Sequence, residues 1–172
     1  DLVRSRGLGD VYKRQGYNIP EYLSKGFDMS INFQPFCMGK FQHCKMLFNI
    51  TLSKLLNRKI TMLHSYKKYV KYRIKTPLPS YRQFPCVTPN FDNASRRMHK
   101  GFTAFIGSTP QLYGKWLSSV FEKFKPYSQE ENFIFINAWN EWAEGNHLEP
   151  DQKWGRKYLE ETKKNIDQYK KR

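Results

Sequence analysis

The sequence predicts an α/β fold with a parallel sheet, and three observations carry that expectation. Short runs of branched and aromatic residues alternate with amphipathic stretches along the 172 residues. Residues 133–139 (FIFINAW) form an apolar run suited to a strand covered on both faces. The densest cluster of charged and polar side chains, residues 137–151, follows that run directly. Parallel α/β sheets build their sites in that place, beyond the C-terminal end of a strand.

Taken in order, residues 20–25 predict a short helix closed by Gly26, the residue expected just past a helix end. Residues 27–34 (FDMSINFQ) read as a strand that stops at Pro35. Residues 60–64 (ITMLH), 84–88 (FPCVT) and 102–106 (FTAFI) are three further strand candidates. Proline stands near the start of the middle one and just after its end. Ser108-Thr109-Pro110 marks a helix start, a hydroxyl cap followed by proline in the first turn. That helix is expected to reach about Phe124, with Leu112, Trp116, Leu117, Val120, Phe121 and Phe124 on one face. A last helix, with Tyr158, Leu159, Ile166 and Tyr169, is expected from near Asp151, and its lysine-rich tail suits a helix C-terminus.

Alternating strand and helix implies βαβ units, and four or five fit here. A (β/α)8 barrel typically needs about 250 residues, so the chain reads as the C-terminal part of a TIM-type barrel, truncated on its N-terminal side. A small open doubly wound sheet is the competing arrangement. No glycine-rich phosphate loop follows any strand, which weakens its nucleotide-binding form.

Composition narrows the class. Hydrophobic residues make up 39%, aromatic 16% and charged 26%, which excludes collagen, low-complexity disorder and a coiled coil. No apolar run reaches membrane-spanning length. Three cysteines, Cys37, Cys44 and Cys86, are too few for a disulfide framework and point to a reducing, cytoplasmic compartment. Cys37 and Cys44 lack the close pairing of a zinc site and read as ordinary thiols.

Residues 5–15 (SRGLGDVYKRQ) back-translate into a string that resembles a transposase-based sequencing adapter. Residues 1–15 are therefore set aside as non-native, leaving 16–172 as the natural chain. Removing their net +2 takes the formal charge from +15 to +13. Residues 29–91 hold eleven Lys or Arg and no Asp or Glu. An anionic partner is one reading of that stretch. A solvated lysine-rich surface is the plainer and preferred one. Tyr66, Tyr69, Tyr72 and Tyr81 interleave with the charges, but no RNA-binding motif is present, so no specific nucleic acid is expected.

The chemistry is expected in NAWNEWAEGNHLEPD, residues 137–151. Cleaving a glycosidic bond needs two carboxyl groups near one sugar carbon, one protonated and one ionised. Glu141 and Glu144 are three apart, which separates them on a strand and brings them together on a turn. Gly145 suits the chain to such a turn. Trp139 and Trp142 offer flat apolar faces for sugar rings, and Asn137 and Asn140 offer donors and acceptors for hydroxyls. A solvated acidic loop is the bland alternative. A magnesium or manganese site from Glu144, His147, Glu149 and Asp151 is another. A second cluster follows the strand at 84–88: Asp92 and Asn93 suit sugar hydroxyls, and Arg96 or Arg97 suits a carboxylate or phosphate on the substrate. For Asp92 a turn bonding its own backbone is the plain alternative. His43, His64 and His99 are lone histidines, read as structural or exposed.

INAWNEWAEGNHLEPD with KWGRKYLEET resembles the closing signature of the WbsX-type family, related to glycoside hydrolase family 99. FDMSINFQP, FPCVTPNFDNASRR and FIGSTPQLYGKWL resemble the same family in order and spacing, so the likeness covers nearly all of 16–165; 36–59 is its least recognisable part. The resemblance implies a barrel enzyme of bacterial surface-polysaccharide (O-antigen or capsule) metabolism, acting on an oligo- or polysaccharide without a cofactor. The localisation that follows is cytoplasmic, with membrane-bound assembly machinery as a neighbour. In family 99 the motif is Glu-Trp-x-Glu, matched here by Glu141-Trp142-Ala143-Glu144. By that match Glu144 is the acid/base on the glycosidic oxygen and Glu141 the base on the sugar 2-hydroxyl, giving a 1,2-anhydro intermediate. Glu149 would bind a sugar hydroxyl or brace the loop. Family 99 hydrolases commonly have His where this chain has Ala143, which leaves hydrolysis and transfer both open. A nucleotide-sugar-dependent glycosyltransferase on the same scaffold, and a non-catalytic basic protein binding nucleic acid or anionic glycan, are the alternatives.

Overall fold

The computed structural model describes residues 26, 29–35, 48, 51, 52, 55, 61–97 and 101–171. The elements are β1 (Ser30–Asn32), β2 (Met62–Ser65), α1 (Tyr66–Lys75), β3 (Gln83–Val87), β4 (Thr103–Ile106), α2 (Pro110–Lys123), β5 (Phe135–Ile136), β6 (Asn140–Glu141), β7 (Asn146–His147) and α3 (Lys157–Lys170). The fold is mixed α/β with parallel sheets, as expected. β1, β3 and β5 form one sheet in that order, with Ser30 opposite Gln83 and Cys86 opposite Phe135. β2 and β4 pair separately, in register from Met62 with Thr103 to Ser65 with Ile106. The connection from β1 to β3 carries α1, and that from β3 to β5 carries α2. The helices pack in chain order, α1 on α2 and α2 on α3.

Local chemistry explains the helix starts. Ser65 Oγ accepts the Lys68 amide, and Thr109 Oγ1 accepts the Leu112 amide ahead of Pro110. α1 buries Tyr66, Tyr69 and Val70 and leaves Lys67, Lys68 and Lys71 outside. α2 buries Tyr113, Trp116, Leu117 and Val120, four of its periodic apolar positions. Gly114 lets α3 pass close by, since a Cβ there would collide with Glu161. β3 is buried at every residue, having a strand on each side.

The core is mainly aromatic, with Tyr66, Tyr69 and Trp116 packed about one another and Phe105. Its hydroxyls find partners. Tyr66 donates to the Thr88 carbonyl at 2.6 Å, Tyr69 to Gln34 Oε1, and Tyr113 shares a hydrogen bond with Thr162 Oγ1 at 2.9 Å. Burial pushes the Tyr66 and Tyr113 hydroxyls well above the ordinary tyrosine range and that of Tyr158 up to about 12.

Three expectations need correction. The run 133–139 contributes a two-residue ladder, Phe135–Ile136, and Phe133 is 51% exposed rather than buried on both faces. β5 lies at the edge of the described sheet and pairs on one side, with the last two residues of β3. The last helix begins at Lys157, because Asp151 and Gly155 close a turn first (Gly155 N to Asp151 O, 2.8 Å) with Gly155 in the left-handed region. The strand expected to reach Gln34 ends at Asn32, before the turn at Gln34 and Pro35, and residues 27 and 28 lie outside the described residues. Residues 1–25, Cys37, Cys44, His43 and His99 lie outside the described residues. Among the described residues no helix is long and apolar enough to cross a membrane.

Candidate active site

Two loops leave the C-terminal ends of neighbouring parallel strands: 88–97 after β3, and 137–151 after β5. Asn137 ties those ends together. Its amide N donates to Val87 O at 2.9 Å and its Nδ2 to Gln34 O at 2.8 Å, just beyond β1. The Asn137 side chain therefore braces the scaffold at the base of the loop.

Beyond it the chain folds back as the β6–β7 hairpin, Asn140 opposite His147 and Glu141 opposite Asn146. A 3-10 turn, Trp142–Glu144, closes it, and Gly145 reverses the chain at φ 55°. That left-handed position suits glycine, and an added Cβ would stand 3.1 Å from Asp92 Cβ. Trp139 O accepts the amides of Leu148 and Glu149 at 2.8 and 3.0 Å, fixing the hairpin base. Asn146 is fully buried beneath, its Oδ1 2.7 Å from Thr88 Oγ1.

The two loops are clamped residue by residue. Asp92 N donates to Glu144 O at 2.6 Å, and Ser95 Oγ to Ala143 O at 2.8 Å. Arg96 then reaches both carboxylates, Nη1 to Glu144 Oε1 at 2.7 Å and Nη2 to Glu141 Oε1 at 3.0 Å. The i to i+3 spacing thus converges on a turn. The environments differ: the Glu144 side chain is 12% exposed and that of Glu141 38%. Burial pushes the Glu144 carboxyl above its ordinary range; Arg96 pulls it down and Glu141 pushes it up.

Two indoles stand on the same segment as this pair. Trp142 Nε1 donates to Glu149 Oε2 at 2.6 Å, and the His147 ring stacks on the indole at 3.7 Å and 16°. Glu149 thus braces the loop, one of its two expected roles. Trp139 and Trp142 are 53% and 49% exposed, and Asn140 and Arg97 also face solvent.

The second cluster is placed beside the first, with altered roles. Asp92 Oδ1 accepts the Ala94 amide at 2.9 Å, the turn alternative for that residue. Asn93 Oδ1 accepts the Thr103 amide at 2.9 Å and so holds the loop to β4. Arg96, expected on a substrate anion, sits on the two glutamates. The four residues of the metal alternative have other partners: Glu144 meets Arg96, Asp151 the Trp154 amide, and Glu149 and His147 both meet Trp142. Among the described residues no three His, Cys, Asp or Glu side chains gather as a metal site. Sequence reasoning missed Ser95, Asn146 and Gln34, whose roles depend on partners 48 or more positions away. No local spacing signals them.

Comparison with known proteins places the chain in a family described as glycosyltransferases. Residues 1–162 match the family model described as Glycosyltransferase WbsX, and the chain belongs to that family. Two curated relatives, each named "Uncharacterized protein WxcX", come from strains of Xanthomonas campestris pv. campestris. Each is 30% identical over 165 residues, covering 93% of this chain and 23% of the relative. The chain thus spans less than a quarter of their length. No solved structure matches it.

Proposed function

We propose that residues 16–172 are the C-terminal part of a (β/α)8-type catalytic domain, related to glycoside hydrolase family 99, that cleaves or transfers glycosyl groups of a polysaccharide. The all-parallel pairing of β1, β3 and β5, with helices on the crossovers packed in chain order, supports the barrel. The observation that carries the activity is the convergence of Glu141 and Glu144 in unlike environments beside two half-exposed indoles, beyond the ends of β3 and β5.

In this reading Glu144, the more buried carboxyl, held above its ordinary range by that burial, gives its proton to the departing glycosidic oxygen. Glu141 acts as the base that takes the proton of the sugar 2-hydroxyl. The freed O2 closes on C1 as the bond to the leaving oxygen breaks, giving a 1,2-anhydro sugar. An acceptor hydroxyl then opens that ring at C1 while Glu144 takes the acceptor's proton and O2 recovers one from Glu141. Water as acceptor gives hydrolysis and a sugar hydroxyl gives transfer. Trp142, pinned by His147 and Glu149, offers a fixed surface for a sugar ring. The family description favours one further reading, transfer from a nucleotide-sugar donor on the same scaffold.

The test uses the full-length protein with an α-mannoside panel, the substrate class of family 99 enzymes, and, separately, nucleotide-sugar donors with acceptors. Release of reducing sugar, lowered about 10²–10⁴-fold by Glu144→Gln or Glu141→Gln, is the expected result. Release of free nucleotide with transfer moves the assignment to the donor-dependent reading. Glycan binding without turnover, unchanged in both variants, would overturn catalysis by this pair.

A further inference from the structure

We infer that Arg96 is the positioning residue of the carboxylate pair: its guanidinium fork holds Glu141 and Glu144 together and offsets their mutual repulsion. The inference rests on the carboxylate reading above and adds a residue to it.

Geometry carries it. Nη1 and Nη2 of one planar group reach one oxygen on each glutamate, at 2.7 and 3.0 Å. A fork of parallel N–H donors fixes separation and orientation as a lysine ammonium does not. The base of Arg96 is itself held. Ser95 is bonded to Ala143 O, Asp92 N to Glu144 O, and Arg97 N to the carbonyls of Asn93 and Ala94. The guanidinium is therefore delivered by a short 3-10 turn locked onto the turn that carries the glutamates.

Electrostatics gives the arrangement a purpose. Two carboxylates on one turn repel each other, and without a countercharge both take up protons more readily. That suits an acid and disables a base. The other charged or titratable groups nearby are engaged elsewhere or stand in solvent. Asp92 accepts from Ala94, Glu149 accepts from Trp142, His147 stacks on Trp142, and Arg97 is exposed. Arg96 is thus the countercharge bonded to both glutamates.

The test measures the pH dependence of kcat/KM in the full-length protein for wild type, Arg96→Met and Arg96→Lys. The acid limb reports ionisation of the base and the alkaline limb loss of the acid's proton. Removing the positive charge raises both, so Arg96→Met is expected to shift both limbs upward by about one pH unit and to lower kcat more than it raises KM. Arg96→Lys keeps the charge without the fork, so it is expected to restore the limbs while leaving kcat low. A structural role alone would lower activity with both limbs in place, and that result overturns the inference. The same titration read without turnover, by infrared difference spectra of carboxyl-13C glutamate with Glu144→Gln as the subtraction, is expected to show higher midpoints in Arg96→Met; unchanged midpoints also overturn it. Wild-type turnover in Glu144→Gln would instead remove the carboxylate reading itself, whatever Arg96 does.

Discussion

Tyr66, Tyr69, Tyr113 and Trp116 are buried between the sheets and the helices, whereas Trp139 and Trp142 stand about half exposed on the hairpin after β5. Both sets are large aromatic side chains with polar handles. In the core the tyrosine handles meet the buried Thr88 O and Gln34 Oε1 and the half-buried Thr162 Oγ1, and the rings close on each other. On the hairpin the Trp142 handle is held by a loop carboxylate, and His147 covers one face. A half-exposed indole held in one orientation is a preorganised surface, and a ligand landing on it loses less order to binding. The lesson concerns what the polar edge bonds to, since aromatic content alone does not separate a core from a site.

The sharpest way to break this comparison is to truncate one indole from each set in the full-length protein. Trp116→Ala empties a fully packed site and is expected to lower stability by about 3–5 kcal/mol. Trp142→Ala removes a half-exposed ring and is expected to lower stability by under about 1 kcal/mol while weakening glycan binding. Urea unfolding with a glycan-binding titration reads both; equal stability losses would erase the distinction.

Gly145→Ala tests the hairpin more finely. It forces a side chain into a left-handed position and against Asp92, so a loss of about 1–2 kcal/mol is expected, together with lower turnover. Normal turnover with that stability loss would show that the turn need not hold the glutamates in register. Thr109→Ala makes the matching cut on the scaffold, deleting the cap of α2. About 1 kcal/mol should be lost with the pH profile of activity unchanged, and a shifted profile would couple the helix to the site.

These regions also differ in how far they were legible beforehand. The start of α2 follows from Ser108-Thr109-Pro110, and its buried face from spacings of three and four, because a helix is decided by neighbours along the chain. The positions of β2, β3 and β4 were found to within two residues for the same reason. The run 133–139 misled, since apolar composition does not reveal how many partners a strand has. In the site, Glu141 and Glu144 were legible as a pair because a turn brings i and i+3 together. Arg96 was legible as a cation and not as their partner: 45 and 48 positions separate it from the two glutamates. Asp92 and Asn93 look like ligand-binding residues by type, yet they hold backbone amides, a choice made by loop geometry.

The smallest expected effect joins the two regions through pH. The Glu144 carboxyl in the folded protein titrates above its ordinary range, chiefly because it is buried. Below that ordinary range both folded and unfolded chains hold the proton, and the group contributes nothing to the pH dependence. As pH rises through it, the unfolded chain ionises first while the folded one keeps its proton, so stability falls. The fall ends once the folded carboxyl has ionised as well. Glu144→Gln cannot titrate, so wild-type stability measured against this variant should decline with rising pH across that window and be level on either side. Arg96 opposes the shift, so Arg96→Met should extend the window upward and deepen the decline. Thermal midpoints from acid to neutral pH read all three proteins on one scale. Parallel curves for wild type and Glu144→Gln would mean that the hairpin leaves Glu144 as freely solvated as it is in the unfolded chain. The two carboxyls would then lack the inequality that lets one act as acid and the other as base.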